Sequence, residues 1–360
     1  MGVSPARPHL LVGALMLVLL GGGSALTGSG ASMALPAPGE AAGATTDPRV
    51  PPSRVAARAT ANRETASRHR TRTTPRWSGA VDVTSRSAVN TAYLRDFAPG
   101  MDVPTGWAGS ESRCIAGTQA SGSRTSTLRA LNFTRSLAGL APVTFSTDLN
   151  ARSQQTALLM SANNALSHAP PRSWRCYTAT AAANAGKSNL SLSYPSNTSS
   201  GIVAQYLEDA GSTNTAAGHR RWLLNPFSTT MGTGATDTAN AMTVIGPTSA
   251  SRPNPAAVSW PTAGWFPRTL EPAGRWSLSL GDRSLSFRWA TVRVWRDGRL
   301  LKAVKHPVAD GYAQPTLVWQ IPASQARSGT FKVEVSSIRA TAKSTRYTRT
   351  YTVRMFAPGA

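Results

Sequence analysis

Cysteine is nearly absent: Cys114 and Cys176 are the only two in 360 residues. That count excludes a disulfide-dense scaffold and leaves either one bridge or two buried thiols; a bridge is the expected state if the chain is exported. Acidic side chains are scarce, 16 against 38 lysines and arginines, for a net charge of +22. Histidine is rare, five in all. Neither a His-Glu-x-x-His helix nor a Gly-x-Ser-x-Gly elbow occurs, so two well-marked hydrolase signatures are missing. The one long apolar run, residues 10–20, breaks at Gly21-Gly22-Gly23 and is too short for a comfortable membrane span.

What is present begins with that run. Arg7 and His9 precede it and small residues follow, with Ser32-Met33-Ala34 as a plausible cleavage site. This is the pattern of an export signal, and it predicts no stable transmembrane segment once cleaved. A charge of +22 suits polyanions. Export makes nucleic acid a poor partner and leaves an anionic cell-envelope polymer or lipid. The chain therefore divides into a signal peptide (1–34), a disordered basic linker (35–80), a domain with a lead-in (81–248), a proline-rich connector (249–273) and an Ig-like β-sandwich (274–360). The linker is Pro, Ala, Thr and Arg with few large apolar side chains, too little to offset the entropy of ordering.

Residues 81–126 read as an ordered, irregular lead-in. A helix is expected from Ser126, closed by Gly139, and a second from Thr147 as its cap to about Leu166. Ser199 or Ser200 opens a third, closed by Gly211. Gly218-His219-Arg220-Arg221-Trp222-Leu223-Leu224 forms a fourth, stopped by Asn225-Pro226. Arg220 and Arg221 read as helix-end charges that favour the C-terminal dipole. Residues 229–236 and 241–245 read as strands. Further on, Phe331, Val333 and Val335 alternate with Lys332 and Glu334, Val292 and Val294 with Arg293 and Trp295, and Asp297-Gly298 is a hairpin signal. Tryptophans 260, 265, 276, 289, 295 and 319 supply either core packing or a sugar-stacking face.

Of the histidines, only His168 and His219 fall at helix ends inside the helical domain, where together they could share a divalent ion or act as acid and base. Their neighbourhood carries a resemblance. Leu131-Asn132-Phe133-Thr134-Arg135, Asp148-Leu149-Asn150, Leu166-Ser167-His168, Ser188-Asn189-Leu190, Tyr206-Leu207-Glu208, Gly218-His219-Arg220 and Met231-Gly232-Thr233-Gly234 occur in an order and spacing that resemble the CAP superfamily (cysteine-rich secretory proteins, antigen 5 and pathogenesis-related 1), especially its bacterial SCP-like branch.

The resemblance implies an α+β fold, an α-β-α sandwich, here followed by a C-terminal antiparallel β-sandwich. It also implies a surface cleft with two histidines and two glutamates able to hold a divalent metal, often zinc. Matched by motif, His168, His219 and Glu208 take three of those places. Ser188 stands where the second glutamate is expected. A serine hydroxyl is a poor zinc ligand, so metal binding at His168 and His219 is expected to be weak. The expected function is a non-enzymatic binding module for an envelope lipid, glycan or protein. The alternative is a hydrolase, either metal-assisted or built on Ser188, a histidine and Glu208.

Overall fold

A computed structural model describes residues 73–340 and 345–360, together with the backbone of Ser32–Met33. The apolar run 10–20 and most of the basic linker lie outside the described residues. The linker's last residues are ordered, against expectation. Trp77 N–H donates to Gly139 O at 3.0 Å, Thr74 N–H to Asn254 O at 2.8 Å, and Arg76 Nη2 to Leu137 O at 3.1 Å.

The lead-in is more regular than its composition suggests. It holds helix α1 (Arg86–Asp96), capped by the Ser85 side chain on Ala88 N. Helix α2 (Ser121–Leu137) starts a turn earlier than expected. Strand β2 (Thr144–Phe145) leads into α3 (Thr147–Asn163). Its cap is Ser146, whose hydroxyl accepts from Leu149 N; Thr147 is already helical. The short helix α4 (Ala179–Ala185) and strand β3 (Ser188–Leu192) follow, then α5 (Ser199–Glu208) and α6 (Gly218–Leu223). The N-cap of α5 is Thr198, one residue before the two serines expected there.

Strands β4 (Thr230–Ala235) and β5 (Ala239–Thr243) complete the first sheet. Its order is β1-β3-β5-β4-β2, where β1 is the Ser32–Met33 pair on the β3 edge. Helices cover both faces. Ala157, Leu159 and Met160 of α3, with Ala181 and Ala185 of α4, pack on Leu190, Leu192, Ala239 and Ala241. Leu131 and Phe133 of α2, with Ile202, Val203 and Tyr206 of α5, belong to the core that includes Met231 and Met242. The glycines of β4 have a steric reason. A Cβ on Gly234 would stand 2.1 Å from Gln154 N and one on Gly232 2.4 Å from Leu149 Cβ, so α3 could not rest on the strand with larger residues there.

The C-terminal half is two stacked sheets. One is β12 (Val304–Lys305), β13 (Thr316–Gln320), β8 (Arg275–Leu280) and β6 (Ala257–Trp260), all antiparallel. The other runs β11 (Arg299–Leu301), β10 (Thr291–Arg296), β14 (Thr330–Ala340), β15 (Arg346–Phe356) and β7 (Gly264–Pro267), with β9 (Leu285–Ser286) on β14. Only β7 joins in parallel. Residues 249–273, expected to be a connector, thus supply one strand to each sheet. Asp297 and Gly298 both have positive φ, 48° and 84°, as a two-residue hairpin of this twist demands. Trp260, Trp276 and Trp319 are fully buried, and Trp276 meets Phe331 of the facing sheet edge-on at 5.0 Å. The helical half and the sandwich share one continuous core.

Cys114 and Cys176 form a disulfide with a Cα–Cα distance of 5.0 Å, tying the lead-in to the loop after α3. The half-cystines are 62 residues apart. Replacing both by serine should lower unfolding free energy by about 4 kcal/mol, the chain-entropy value for such a loop, read from the shift of the urea midpoint.

Candidate functional site

The C-terminal end of α5 builds the site. Asp209 ends that helix in the left-handed conformation, φ 54°, which aspartate tolerates better than most residues. A loop returns to Ala217, also left-handed at φ 49°, and α6 starts at Gly218. This entry angle drives His219 inward. Its ring stacks on Tyr206, one turn back from Asp209, at 5.3 Å and 30°. Nδ1 lies 2.7 Å from Asp209 Oδ1, and Asp209 Oδ2 accepts from Arg220 N at 3.2 Å. His219 and Asp209 are both completely buried. The Nε2 atom of His219 is enclosed without a hydrogen-bond partner.

A polar network surrounds the pair. Tyr206 donates its hydroxyl proton to Asn240 Oδ1 at 2.7 Å and accepts from Ser191 Oγ at 3.3 Å; burial holds its pKa far above the usual phenol range. Asn189 Nδ2 donates to His219 O at 3.1 Å. These bonds fix the ring's orientation through atoms on α5, β3 and β5.

The residues expected to share one cleft divide: His168 and Ser188 both bond carbonyls at the end of α4, while His219 is held by Asp209 at the end of α5. Ser188 lies on the opposite face of β3 from Asn189, because successive side chains of a strand point to opposite sides. Its hydroxyl donates to Asn184 O at 2.8 Å and meets Thr243 Oγ1 at 3.3 Å, so no histidine can take its proton. The Ser-His-Glu triad does not form. Glu208 is exposed, and the carboxylate on His219 belongs instead to Asp209. The half-buried His168 places Nδ1 2.9 Å from Ala185 O, at the end of α4. No hydrogen bond joins His168 to His219, and His219 is sealed where a solvent-reachable depression was expected.

Zinc needs four ligands, or three plus water. Asp209 already holds one nitrogen of His219, and among the described residues no group of three or more His, Cys, Asp or Glu side chains is close enough to hold a metal ion. The donor set does not fit the metal expected from the resemblance. A depression of about 300 Å³ lies elsewhere, beside Gln119, Arg124, Asn150 and Gln154.

Arg220 and Arg221 are core residues, contrary to their reading as helix-end charges. Arg220 Nε donates to Leu207 O at 2.6 Å and Nη2 to Glu208 O at 3.1 Å, closing α5. Its Nη1 reaches Arg275 O at 2.8 Å and Ser277 Oγ at 3.1 Å in the sandwich. Arg275 Nη1 answers with a bond to Asp209 O at 2.6 Å. Arg221 donates to Ala309 O at 3.0 Å and Gln314 O at 2.7 Å, with its guanidinium over the Tyr312 ring. Burial pulls the Arg220 pKa down to about 10, against the opposing pull of Asp209, so the group stays charged at neutral pH.

The family model for the cysteine-rich secretory protein family, CAP, matches residues 128–245. Residues 128–245 form a CAP domain. No curated protein matches the chain. Among solved structures, the methionine-rich copper resistance protein PcoC from Escherichia coli is 19% identical with a TM-score of 0.23, covering 27% of this chain and 93% of its own. A selenomethionine form of it gives 17%, 0.21, 27% and 95%. A likeness of that size carries no argument about either fold or function.

The inward carboxylate has a local signal in the sequence. Gly211 marks the helix end, and a short acidic side chain just ahead of it is the one suited to a left-handed cap. Asp209→Ala should cost about 1–3 kcal/mol, the range for leaving a buried hydrogen-bonding group without its partner. Glu208→Gln should stay within about 0.5 kcal/mol, as exposed substitutions do. Urea unfolding of both variants decides which carboxylate holds the histidine.

Proposed function

We propose that this is an exported, non-enzymatic binding protein that adheres to an anionic envelope polymer. The observation that carries this reading is the burial of His219. Its imidazole is spent on Asp209 and Tyr206, has no accessible surface, and lies across the sheet from the hydroxyl that a hydrolase would need. General acid-base catalysis requires hydrogen-bond reach to a substrate proton, which an enclosed ring lacks. The net charge of +22 supports a polyanion as partner. A disulfide agrees with an oxidising, extracellular compartment. Among the described residues, no helix is long and apolar enough to cross a membrane.

A metal-assisted hydrolase would need His168, His219 and Glu208 in one place, and a serine hydrolase Ser188, a histidine and Glu208; His168 and Ser188 bond adjacent carbonyls at the end of α4, whereas His219 is held by Asp209 and Glu208 is exposed. Adhesion through exposed charges is screened by salt. The chain should be retained on a polyanion matrix at low ionic strength and elute well before about 1 M salt, where screening extends to only about 3 Å. His168→Ala should elute at the same position. Retention that ignores ionic strength, or that disappears with His168→Ala, would contradict the proposal.

A further inference from the structure

We propose that the outer face of the β10–β14–β15–β7 sheet is a docking surface for an acidic polysaccharide; this rests on the adhesion reading and gives it a place and a ligand class. The face is identified by register. Trp295 lies opposite Leu300 on β11 and Lys332 on β14, and Lys332 lies opposite Thr352 on β15. Val294, Phe331, Val333 and Val353, at the alternate positions, are buried in the sandwich, so this row points outward. One step along the same face, Arg354 of β15 pairs with Trp265 of β7, whose neighbour Phe266 is buried.

Each ring has a cation beside it. Lys332 Nζ is 5.2 Å from the Trp295 ring centre, and the Arg354 guanidinium is 5.9 Å from that of Trp265. The pattern repeats further along β14, beyond the bulge between Val335 and Ile338. There Arg339 sits 4.8 Å from the ring of Trp289, which is 47% exposed. Leu300 is 58% exposed beside Trp295. A shallow depression of about 350 Å³ separates Trp295, Lys332 and Thr352 from the Asp297-Gly298 turn. Asp297 itself is committed to the turn, accepting from Thr330 N at 2.8 Å. Near β7 the face is closed by Arg86, whose guanidinium covers Phe356 at 5.5 Å.

The ligand follows from this pairing. A flat aromatic ring offers stacking to the apolar face of a pyranose, and an adjacent cation offers a counter-charge to a carboxylate on the same ring. A uronic-acid polymer presents both at every residue. Polyphosphate presents charge without a ring; an anionic bilayer also attracts tryptophan and basic side chains but offers no pyranose face, and the vesicle titration separates it. Thr352 in this row and Thr350 in the next offer hydroxyls to the sugar, and the one carboxylate in the next row, Glu334, lies opposite Arg293.

The test titrates the full chain with polygalacturonate, with polyphosphate and with phosphatidylglycerol vesicles, each at low and high salt. Trp295→Ala should weaken polygalacturonate binding roughly tenfold and leave polyphosphate binding unchanged, whereas Lys332→Gln should weaken both. Trp295→Leu keeps apolar bulk on the strand and should lose polygalacturonate equally, which covers the case in which the alanine variant folds poorly. If polygalacturonate binds both Trp295 variants as tightly as wild type while salt still releases it, the face assignment is wrong and adhesion stands. If only vesicle binding depends on Trp295, the ligand is a lipid surface and the assignment to polysaccharide falls. If no polyanion holds the wild-type chain even at low salt, the adhesion reading falls as well.

Discussion

Buried guanidinium groups that must find acceptors hold this molecule together. Arg220 is 1% exposed, and its bonds go to neutral acceptors: carbonyl oxygens at the end of α5, a strand carbonyl and a serine in the sandwich. The last carbonyls of a helix are otherwise unsatisfied and carry partial negative charge. One positive side chain therefore answers the end of α5 and the edge of β8 together. Asp209 and Glu271 add attraction at longer range. Glu271 is itself buried, and its Oε1 accepts from Gly274 N at 2.7 Å and Trp276 Nε1 at 2.8 Å. Desolvating charge on this scale is costly unless hydrogen bonds offset it, and all three nitrogens of the Arg220 guanidinium donate, so the positions of α5, α6 and β8 are mutually determined.

The histidine site depends on the same junction. Asp209 has three obligations: a carboxylate oxygen to His219, the other to Arg220 N, and its carbonyl to Arg275. Moving the sandwich would disturb the residue that orients the imidazole. The Gly-His-Arg-Arg segment of this CAP domain thus works as a structural rivet, with the histidine facing one domain's interior and the arginines facing the other. On the outside of the molecule, cations stand beside tryptophans across an open sheet.

Much of the architecture was readable from local chemistry. The alternation of Phe331, Val333 and Val335 with Lys332 and Glu334 reports a sheet with one dry face, and Asp297-Gly298 reports its tightest turn. Caps, apolar spacing and glycine or proline stops placed α2, α3, α5 and α6 in order, with errors of one to five residues at the N-termini of the first three. What was not readable depended on distant partners. Nothing local to Arg220 and Arg221 announces burial, because both acceptors of Arg221 and two of the four of Arg220 are contributed by residues 275–314. Ser188 looked like a candidate nucleophile until β3 placed it on the far side of the sheet from His219, a difference of one residue in a period of two. Glu208 and Asp209 are adjacent, and only the left-handed helix end decides which one turns inward. The proline-rich stretch 249–273 seemed to lack strands because β6 and β7 are short and gain their partners from elsewhere in the chain.

The shared core has an implication for modularity. Lengths of chain that match a family model are often handled as portable cassettes, cut out or fused at will. Here, cutting after the matched segment would strip Arg220 and Arg221 of Arg275, Ser277, Ala309 and Gln314. Two stranded cations would then face water where a seam had been. Recombination at that boundary is penalised by the apolar side chains of the shared core that it would expose to water, and the two halves should have been inherited, and should melt, as a single unit.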